Sequence, residues 1–179
     1  MHCSVLIATF NSFETLPAAI DSVLPQLLDG EELVVIDDGS TDGTSTYLQS
    51  IPDSRLRVSR QTNKGLAAAL NTGLRLCQNE IVVRLDSDDE MLPGRLACHR
   101  SAFSQNDRLV LHGGNIVRRS DDGHDLGCSS FPQKHADIVR GLMRGRHVLC
   151  HSAVAYRRET VLACGGHWTG GVGQGWEWW

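Results

Sequence analysis

The stretch that decides the fold is residues 81–89, IVVRLDSDD. Residues 81–85 are mainly apolar and predict a buried strand. The strand ends at Asp86-Ser87-Asp88-Asp89, where three carboxylates stand within four residues. Because like charges repel, this cluster needs a reason to be tolerated, and a divalent cation with oxygen ligands supplies one. An isolated Asp-x-Asp is more often a solvated turn that caps a helix, so the surrounding sequence has to decide.

Two earlier stretches repeat the arrangement of a buried strand followed by polar residues. Residues 4–8 predict a strand that ends at Thr9-Phe10-Asn11, and residues 32–36 predict one that ends at Asp37-Asp38-Gly39-Ser40. Ligands of open α/β sheets bind beyond the carboxyl ends of the strands. The shared position of the three sets therefore predicts a binding cleft, although each set alone is also compatible with a turn or with core packing.

Helical patterns alternate with the predicted strands, which predicts an α/β fold with a mainly parallel, doubly wound sheet and helices on both faces. Helices are expected over residues 16–27, 45–50 and 66–77, with a further strand over 56–60. For the later chain we expect, in order, a helix near 93–103, a strand over 109–118, a turn at 120–123, a helix near 136–144 and a strand over 153–157.

Composition narrows the class of protein. The chain has 179 residues, 41% of them hydrophobic, so we expect a single domain over residues 1–179. A formal net charge of −4 supplies no basic field and argues against nucleic acid as a partner. The six cysteines are widely spaced, and we expect mostly buried free thiols in a reducing compartment. With no signal-peptide pattern at the start, the expected location is the cytoplasm, with the inner face of the membrane as a second option.

In order and spacing, these motifs resemble the family 2 glycosyltransferases, which are inverting, nucleotide-sugar-dependent enzymes with a Rossmann-like GT-A fold. The resemblance is strong from residue 4 to about residue 93, where it includes Asn63-Lys64-Gly65 and Asn71-Thr72-Gly73, and weak over residues 148–166. It implies a nucleotide-sugar-binding half over residues 1–93 and an acceptor-side half over residues 94–179 that is incomplete at its C-terminus.

The resemblance also implies a role for each matching residue. Those expected to bind the nucleotide-sugar are Thr9, Phe10, Asn11, Asp38, Lys64 and Asp86. Asp88, with Asp86, is expected to bind Mn²⁺ or Mg²⁺. The expected donor is a nucleoside-diphosphate sugar, with a UDP-sugar favoured and a hexose or N-acetylhexosamine as the sugar. The expected acceptor is a carbohydrate or a lipid-linked hydroxyl compound, which would bring peripheral membrane association and a place in polysaccharide biosynthesis.

The end of the sequence departs from the family pattern. By spacing, Gly175 stands where the family has the aspartate that acts as general base, which leaves Glu177 as the candidate catalytic carboxylate. A binding relic or fragment without its base is therefore the alternative to an active transferase. A sugar nucleotidyltransferase is a third hypothesis, but the loop after the first strand lacks the glycines that wrap a triphosphate.

Overall fold

A computed structural model of the protein describes residues 1–120 and 122–169. Within these residues the strands are β1 (Cys3–Thr9), β2 (Glu32–Asp37), β3 (Leu56–Arg60), β4 (Ile81–Arg84), β5 (Leu111–Gly113), β6 (Val117–Arg119), β7 (Asp125–Cys128) and β8 (Val154–Arg157). The α-helices are α1 (Leu16–Val23), α2 (Thr44–Ser50), α3 (Leu66–Leu76), α4 (Arg95–Gln105), α5 (His135–Leu142) and α6 (Arg158–Ala163).

The main sheet has the strand order β3-β2-β1-β4-β8-β5. Strands β1 to β4 are parallel to one another, whereas β8 runs antiparallel to both β4 and β5. The sheet is therefore mainly parallel, as predicted. The chain winds from β1 outward to β3 and then returns to the other side of β1 with β4, so a topological switch point lies between β1 and β4.

Both faces of the sheet are covered, which explains why its central strands are almost continuously apolar. Successive residues of β1 point to opposite faces, so Val5 and Ile7 belong to one buried cluster while Leu6 and Ala8 belong to another. The first cluster includes residues of α1, α2 and α4. The second includes residues of α3 and α6, with α5 packed against it. The predicted arrangement of helices on both faces is confirmed.

Helix α3 approaches the sheet closely at Gly73. A Cβ atom at this position would lie 2.2 Å from Cδ1 of Leu6 and 3.0 Å from Cγ1 of Ile36. The missing side chain lets α3 rest directly on β1 and β2, and this gives the Asn71-Thr72-Gly73 motif a packing function.

One predicted element is wrong. The strand expected over residues 109–118 is divided into β5, in the main sheet, and β6, which pairs with β7 in a separate hairpin. The division falls at Gly113-Gly114-Asn115, where glycine lowers the preference for a continuous strand. The predicted turn at 120–123 is present, since the amide of Gly123 donates to the carbonyl of Ser120 at 2.8 Å, although Asp121 lies outside the described residues. Strand β7 and helix α6 were not predicted.

The expectation that the cysteines are mostly buried is also wrong. All six are free, but only Cys3 and Cys77 are buried, while Cys98, Cys128 and Cys164 are exposed and Cys150 is half-buried. Cys98 lies on the exposed face of α4, Cys128 on the small β6–β7 hairpin and Cys164 directly after α6, so none of the three faces the core.

Across the described ranges, no helix is both long enough and apolar enough to cross a bilayer.

Candidate functional site

A cleft of about 400 Å³ opens at the carboxyl ends of β1, β2 and β4, at the switch point of the sheet. Five of the residues predicted to bind donor or metal line it, namely Thr9, Phe10, Asp38, Asp86 and Asp88. The other lining residues are Ala8, Ser12, Asn63, Gly65, Leu66, Ala69 and Ser87. The volume lies in the usual range for small-molecule sites, which is about 300–1,000 Å³. The expected convergence of Asp38 and Asp88 on one cleft is confirmed.

The loop after β1 presents an aromatic ring to this cleft. Phe10 is 46% exposed, so its face is available for stacking on a flat ligand. Asn11 follows with a φ of 52°, and its side-chain oxygen accepts a hydrogen bond of 2.8 Å from the amide of Thr41. The side chain of Asn11 thus holds the β2–α2 loop and does not line the cleft. Its expected contact with the nucleotide stays a prediction.

The two carboxylates after β2 have different environments. Asp37 is fully buried and accepts hydrogen bonds from the Ser40 amide and the Ser45 hydroxyl. Although burial raises the pKa of Asp37, these hydrogen bonds outweigh it and hold that pKa below its ordinary value. Asp38 instead lines the cleft, where its carboxylate accepts hydrogen bonds from Gln61 Nε2 at 2.7 Å and from the Gly65 amide at 2.8 Å.

Lys64 contributes its backbone to this part of the site. Its amide donates to the Asp38 carboxylate at 3.0 Å, while its side chain is exposed and does not line the cleft. The carboxylate of Asp38 therefore orders the β3–α3 loop, which supplies Asn63 and Gly65 to the cleft wall. The expected contact between the Lys64 ammonium group and the nucleotide-sugar stays a prediction.

The acidic loop after β4 is supported from behind by a buried arginine. The side chain of Arg84 is fully buried and donates to the carboxylate of Asp86, which is 34% exposed. Arg84 also donates to the carbonyl oxygens of Leu85 at 2.7 Å and Leu6 at 3.2 Å. The guanidinium group orients Asp86 and supplies positive charge beneath a loop that would otherwise carry only negative charge.

A second arginine, Arg95, adds to the positive charge beneath the acidic loop. Arg95 donates to the carbonyl oxygens of Arg84 and Ser152, each at 2.8 Å, and burial lowers its pKa to about 10. The hydroxyl oxygen of Ser152 accepts a hydrogen bond of 2.9 Å from the amide of Asp86. The sequence offered one usable signal for this support, namely a charged residue, Arg84, within the otherwise apolar run of residues 81–85.

Asp88 and Asp89 complete the acidic loop after β4. Asp88 is exposed and lines it, and Ser87 is hydrogen-bonded to Ser12 with 3.0 Å between the hydroxyl oxygens. Desolvation, together with the charges of Asp86 and Asp88, raises the pKa of Asp89 above its ordinary value. The charges of Asp86 and Asp88 therefore disfavour a third negative charge at Asp89, in line with the repulsion expected from the sequence.

A hard divalent cation fits this donor set, because Mg²⁺ and Mn²⁺ prefer oxygen ligands and accept one or two carboxylates completed by water and phosphate oxygens. In the parts of the chain that the structure describes, no group of three or more histidine, cysteine or acidic side chains is arranged as a complete metal cage. Asp86 and Asp88 would thus form only the protein's share of such a site.

A polar network joins the cleft to the segment after α6. Asn71 on α3 accepts a hydrogen bond from the His167 amide and donates one to the His167 carbonyl, both at 2.7 Å. The His167 ring lies edge-on to His151, whose Nδ1 is 3.5 Å from the guanidinium group of Arg84. Sequence reasoning missed this network because its members are far apart in the chain. Glu177, the candidate base, lies outside the described residues.

The family model for glycosyl transferase family 2 matches residues 4–163 of this chain. The chain belongs to this family. It is 32% identical over 168 residues to an uncharacterized glycosyltransferase of Nostoc sp., covering 90% of this chain and 52% of that protein. It is also 32% identical over 132 residues to the UDP-Glc:α-D-GlcNAc-diphosphoundecaprenol β-1,3-glucosyltransferase of Escherichia coli, covering 73% of this chain and 51% of that enzyme.

Solved structures of similar fold agree. S. aureus TarS (residues 1–349) superposes with a TM-score of 0.69 at 23% identity, covering 92% of this chain and 49% of that one. The mannosyltransferase PcManGT of Pyrobaculum calidifontis, solved with GDP-Man and Mn²⁺, superposes with a TM-score of 0.68 at 24% identity, covering 94% and 48%. The GT-A-like fold of this chain is thereby shown. The chain spans about half the length of the two curated relatives named here.

Proposed function

We propose that this chain binds a nucleoside-diphosphate sugar in the cleft and transfers its sugar to an acceptor hydroxyl with inversion and with the help of a divalent metal. The observation that carries the proposal is the convergence of Phe10, Asp38, Asp86 and Asp88 on one cleft at the switch point. These four side chains offer a stacking surface, a hydrogen-bond acceptor and two metal ligands, which are the groups that a base, a ribose and a diphosphate require.

Within this proposal, different residues bind the base and the diphosphate of the nucleotide-sugar. The ring of Phe10 stacks on the base, and Asp38 accepts a hydrogen bond from it. Asp86, held in place by Arg84, lies by the ribose and diphosphate. Asp88 and Asp86 would hold Mn²⁺ or Mg²⁺, and the cation, when bound, would stabilise negative charge on the diphosphate leaving group. The acidic loop would otherwise repel the diphosphate.

Proton removal from the acceptor is assigned to Glu177, the nearest carboxylate to the position where the family has its base. General base assistance typically contributes about 10²–10⁴-fold in rate. A catalytically impaired donor-binding protein is the second candidate function, and the glycine at position 175 is the observation that favours it.

The substrate class follows from the relatives by analogy. TarS is solved with UDP-GlcNAc and with UDP, and PcManGT with GDP-Man, so a hexosyl or N-acetylhexosaminyl donor is proposed, with a UDP-sugar first. The Escherichia coli relative is named for a diphosphoundecaprenol acceptor, which supports a lipid-linked or carbohydrate acceptor here. We place this reaction in polysaccharide biosynthesis, in the cytoplasm or at the inner face of the membrane, with one domain divided near residue 93 into donor and acceptor halves.

Calorimetry with UDP, in the presence of Mn²⁺ or of EDTA, tests donor binding. Asp88→Asn should abolish the metal-dependent part of the affinity, whereas Asp122→Asn should not, because Asp122 lies exposed in the β6–β7 turn. With UDP at about 100 times its dissociation constant, the protein should gain roughly 2.7 kcal/mol in stability. Equal affinity with Mn²⁺ and with EDTA would contradict the metal-assisted proposal.

Turnover of a radiolabelled UDP-sugar separates the enzyme from the binding relic. Glu177→Gln should reduce transfer by about 10²–10⁴-fold without changing UDP affinity if Glu177 is the base. If the unaltered chain binds UDP and Mn²⁺ yet neither transfers nor hydrolyses the sugar, the relic is the correct reading. If Glu177→Gln transfers sugar as fast as the unaltered chain, the base is another residue.

A further inference from the structure

Helix α5 and the turn that follows it form a basic surface on an acidic protein. Residues 134–147 contain four basic side chains, Lys134, Arg140, Arg144 and Arg146, and one acidic side chain, Asp137, in a chain whose formal net charge is −4. With four basic side chains and one acidic one, this segment carries a local net charge of +3. Such segregation creates a local field that attracts anions even though the whole protein repels them.

The arginines of this segment converge on a cavity of about 260 Å³ beside α5, which Arg140, Arg144 and Arg146 line together with Pro132. Arg140 is paired with Asp137 at 3.0 Å. Among the described residues, the side chains of Arg144 and Arg146 form no hydrogen bond or ion pair that would neutralise them, and both are exposed. Two guanidinium groups are therefore available to phosphate oxygens, which they can bind in a bidentate manner.

The same segment exposes apolar side chains that do not pack against the buried clusters of the protein. Ile138 and Leu142 of α5 pack against the buried cluster under α3, which accounts for the inner face of the helix. Val139, 41% exposed, and Met143, 84% exposed, lie one helical turn apart on the outer side. A soluble phosphate compound would use the arginines alone, whereas the surface of an anionic bilayer uses both charges and apolar side chains.

The surface lies close to the cleft along the chain. Ser152, the residue that accepts the hydrogen bond from the amide of Asp86, is six positions after Arg146 in the chain. Even a fully extended chain of that length spans at most about 22 Å. The turn after α5 therefore lies within about 22 Å of the residue that supports the acidic loop.

We propose that Arg140, Arg144 and Arg146, flanked by Val139 and Met143, form a docking surface for an anionic lipid bilayer, with the arginines on lipid phosphates and Met143 at the acyl boundary. This inference rests on the membrane association included in the proposed function, but it does not require that the chain transfer sugar. It assigns that association to α5 and to the turn after it.

Vesicle co-sedimentation of the full 179-residue chain tests the proposal. Vesicles of phosphatidylcholine with phosphatidylglycerol should bind the protein at low salt, and vesicles of phosphatidylcholine alone should not. Because a basic residue near an anionic surface is worth about 1 kcal/mol, the double substitution Arg144→Gln and Arg146→Gln should weaken binding roughly 25-fold. Met143→Gln should weaken vesicle binding further. Because this loss removes an apolar contact, it should be the same at low and at high salt.

A matched control removes the same charge elsewhere. Arg75→Gln with Arg108→Gln also deletes two exposed arginines, and it should leave vesicle binding within about twofold if the surface is local. Circular dichroism and urea unfolding of every variant show whether the fold is intact. Asp88→Asn should lose UDP binding and keep vesicle binding, which would show that the surface is separate from the cleft. Vesicle binding tests the α5 surface even if the transferase proposal fails.

Three results would overturn the proposal. The first is absence of binding to anionic vesicles at low salt, and the second is an equal loss in the Arg144/Arg146 and Arg75/Arg108 variants. The third is binding of inorganic pyrophosphate that depends on Arg144 and Arg146 without any binding to vesicles, which would identify a site for a soluble phosphate compound instead.

Discussion

Replacing Arg84 by methionine should lower both the stability of the protein and its affinity for UDP. Methionine keeps most of the side-chain volume and removes the charge. The carbonyl oxygen of Leu6 keeps a partner, because it also accepts from the amide of Leu85 at 3.2 Å. The carbonyl oxygen of Leu85 loses the 2.7 Å bond from the guanidinium group, and Asp86 loses its ion-pair partner.

The size of the effect follows from these contacts. One orphaned carbonyl costs about 1–3 kcal/mol. The pair with Asp86 adds at most about 1 kcal/mol, because Asp86 is partly exposed and screened by water. Burial of the methionine side chain offsets part of this loss by about 1–2 kcal/mol. The net destabilisation should be about 1 kcal/mol, or a fall in melting temperature of about 2–4 °C for a domain of this size.

Donor affinity should fall for a separate reason. Asp86 would have to be ordered when the ligand binds instead of being held beforehand by Arg84. Ordering one side chain costs on the order of 1 kcal/mol, which corresponds to about fivefold weaker UDP binding in the presence of Mn²⁺.

Urea unfolding and calorimetry measure the two effects on the same samples. Arg100→Met is the control, since Arg100 pairs at 2.7 Å with the buried Glu31, which directly precedes β2 and so lies at the opposite end of that strand from Asp38. The control should lose stability and keep its UDP affinity. An Arg84→Met protein as stable as the original, or an equal affinity loss in both variants, would refute the supporting role assigned to Arg84.

Two other predictions concern acid stability and the segment after α6. Burial and the nearby Arg95 lower the pKa of His99 from 6.5 to about 3, so between these pH values the unfolded chain binds more protons than the folded protein. The stabilising contribution of neutral His99 should be fully present above pH 6.5. Below that pH the free energy of unfolding should fall by up to about 1.4 kcal/mol per pH unit, and less steeply in His99→Gln. Asn71→Ala should remove both hydrogen bonds to His167, cost about 1–3 kcal/mol, and speed hydrogen exchange of the His167 amide.

Each of these has a distinct contrary result. Urea unfolding at several pH values that gives identical slopes for the original protein and His99→Gln would show that His99 does not contribute to the acid response. Unchanged protection of the His167 amide in Asn71→Ala would show that the segment after α6 is held by other contacts.

The donor half was predictable because its information is local. The apolar runs of β1, β2 and β4 are bounded by polar residues at their carboxyl ends, and parallel pairing brings those ends to one edge of the sheet. Helix and strand bounds in this half agree with the predictions to within a few residues. The acceptor half gave weaker signals, since β5 and β6 are three residues each and are separated by Gly114-Asn115-Ile116.

Long-range contacts escaped prediction even in the donor half. The hydrogen bonds between Asn71 and His167 join residues 96 positions apart, and the hydrogen bond between Asp86 and Ser152 joins residues 66 positions apart. Neither pair has a periodic or compositional pattern that would associate its members. The sequence did contain a local anomaly at Arg84, but only the structure places a partner beside it.

Asp38 illustrates why a correct placement does not by itself fix a role. Its carboxylate lines the cleft, as predicted, yet three N–H donors, from Gln61, Lys64 and Gly65, already bind it. Each carboxylate oxygen can accept more than one hydrogen bond, so a ligand can still be bound. The same contacts mean that any substitution of Asp38 disturbs the β3–α3 loop that forms the cleft wall. Loss of UDP affinity in an Asp38 variant would therefore not separate direct contact from loop order. Asp88 gives a test that does separate them, because it is exposed and its side chain forms no hydrogen bond or ion pair with another described residue.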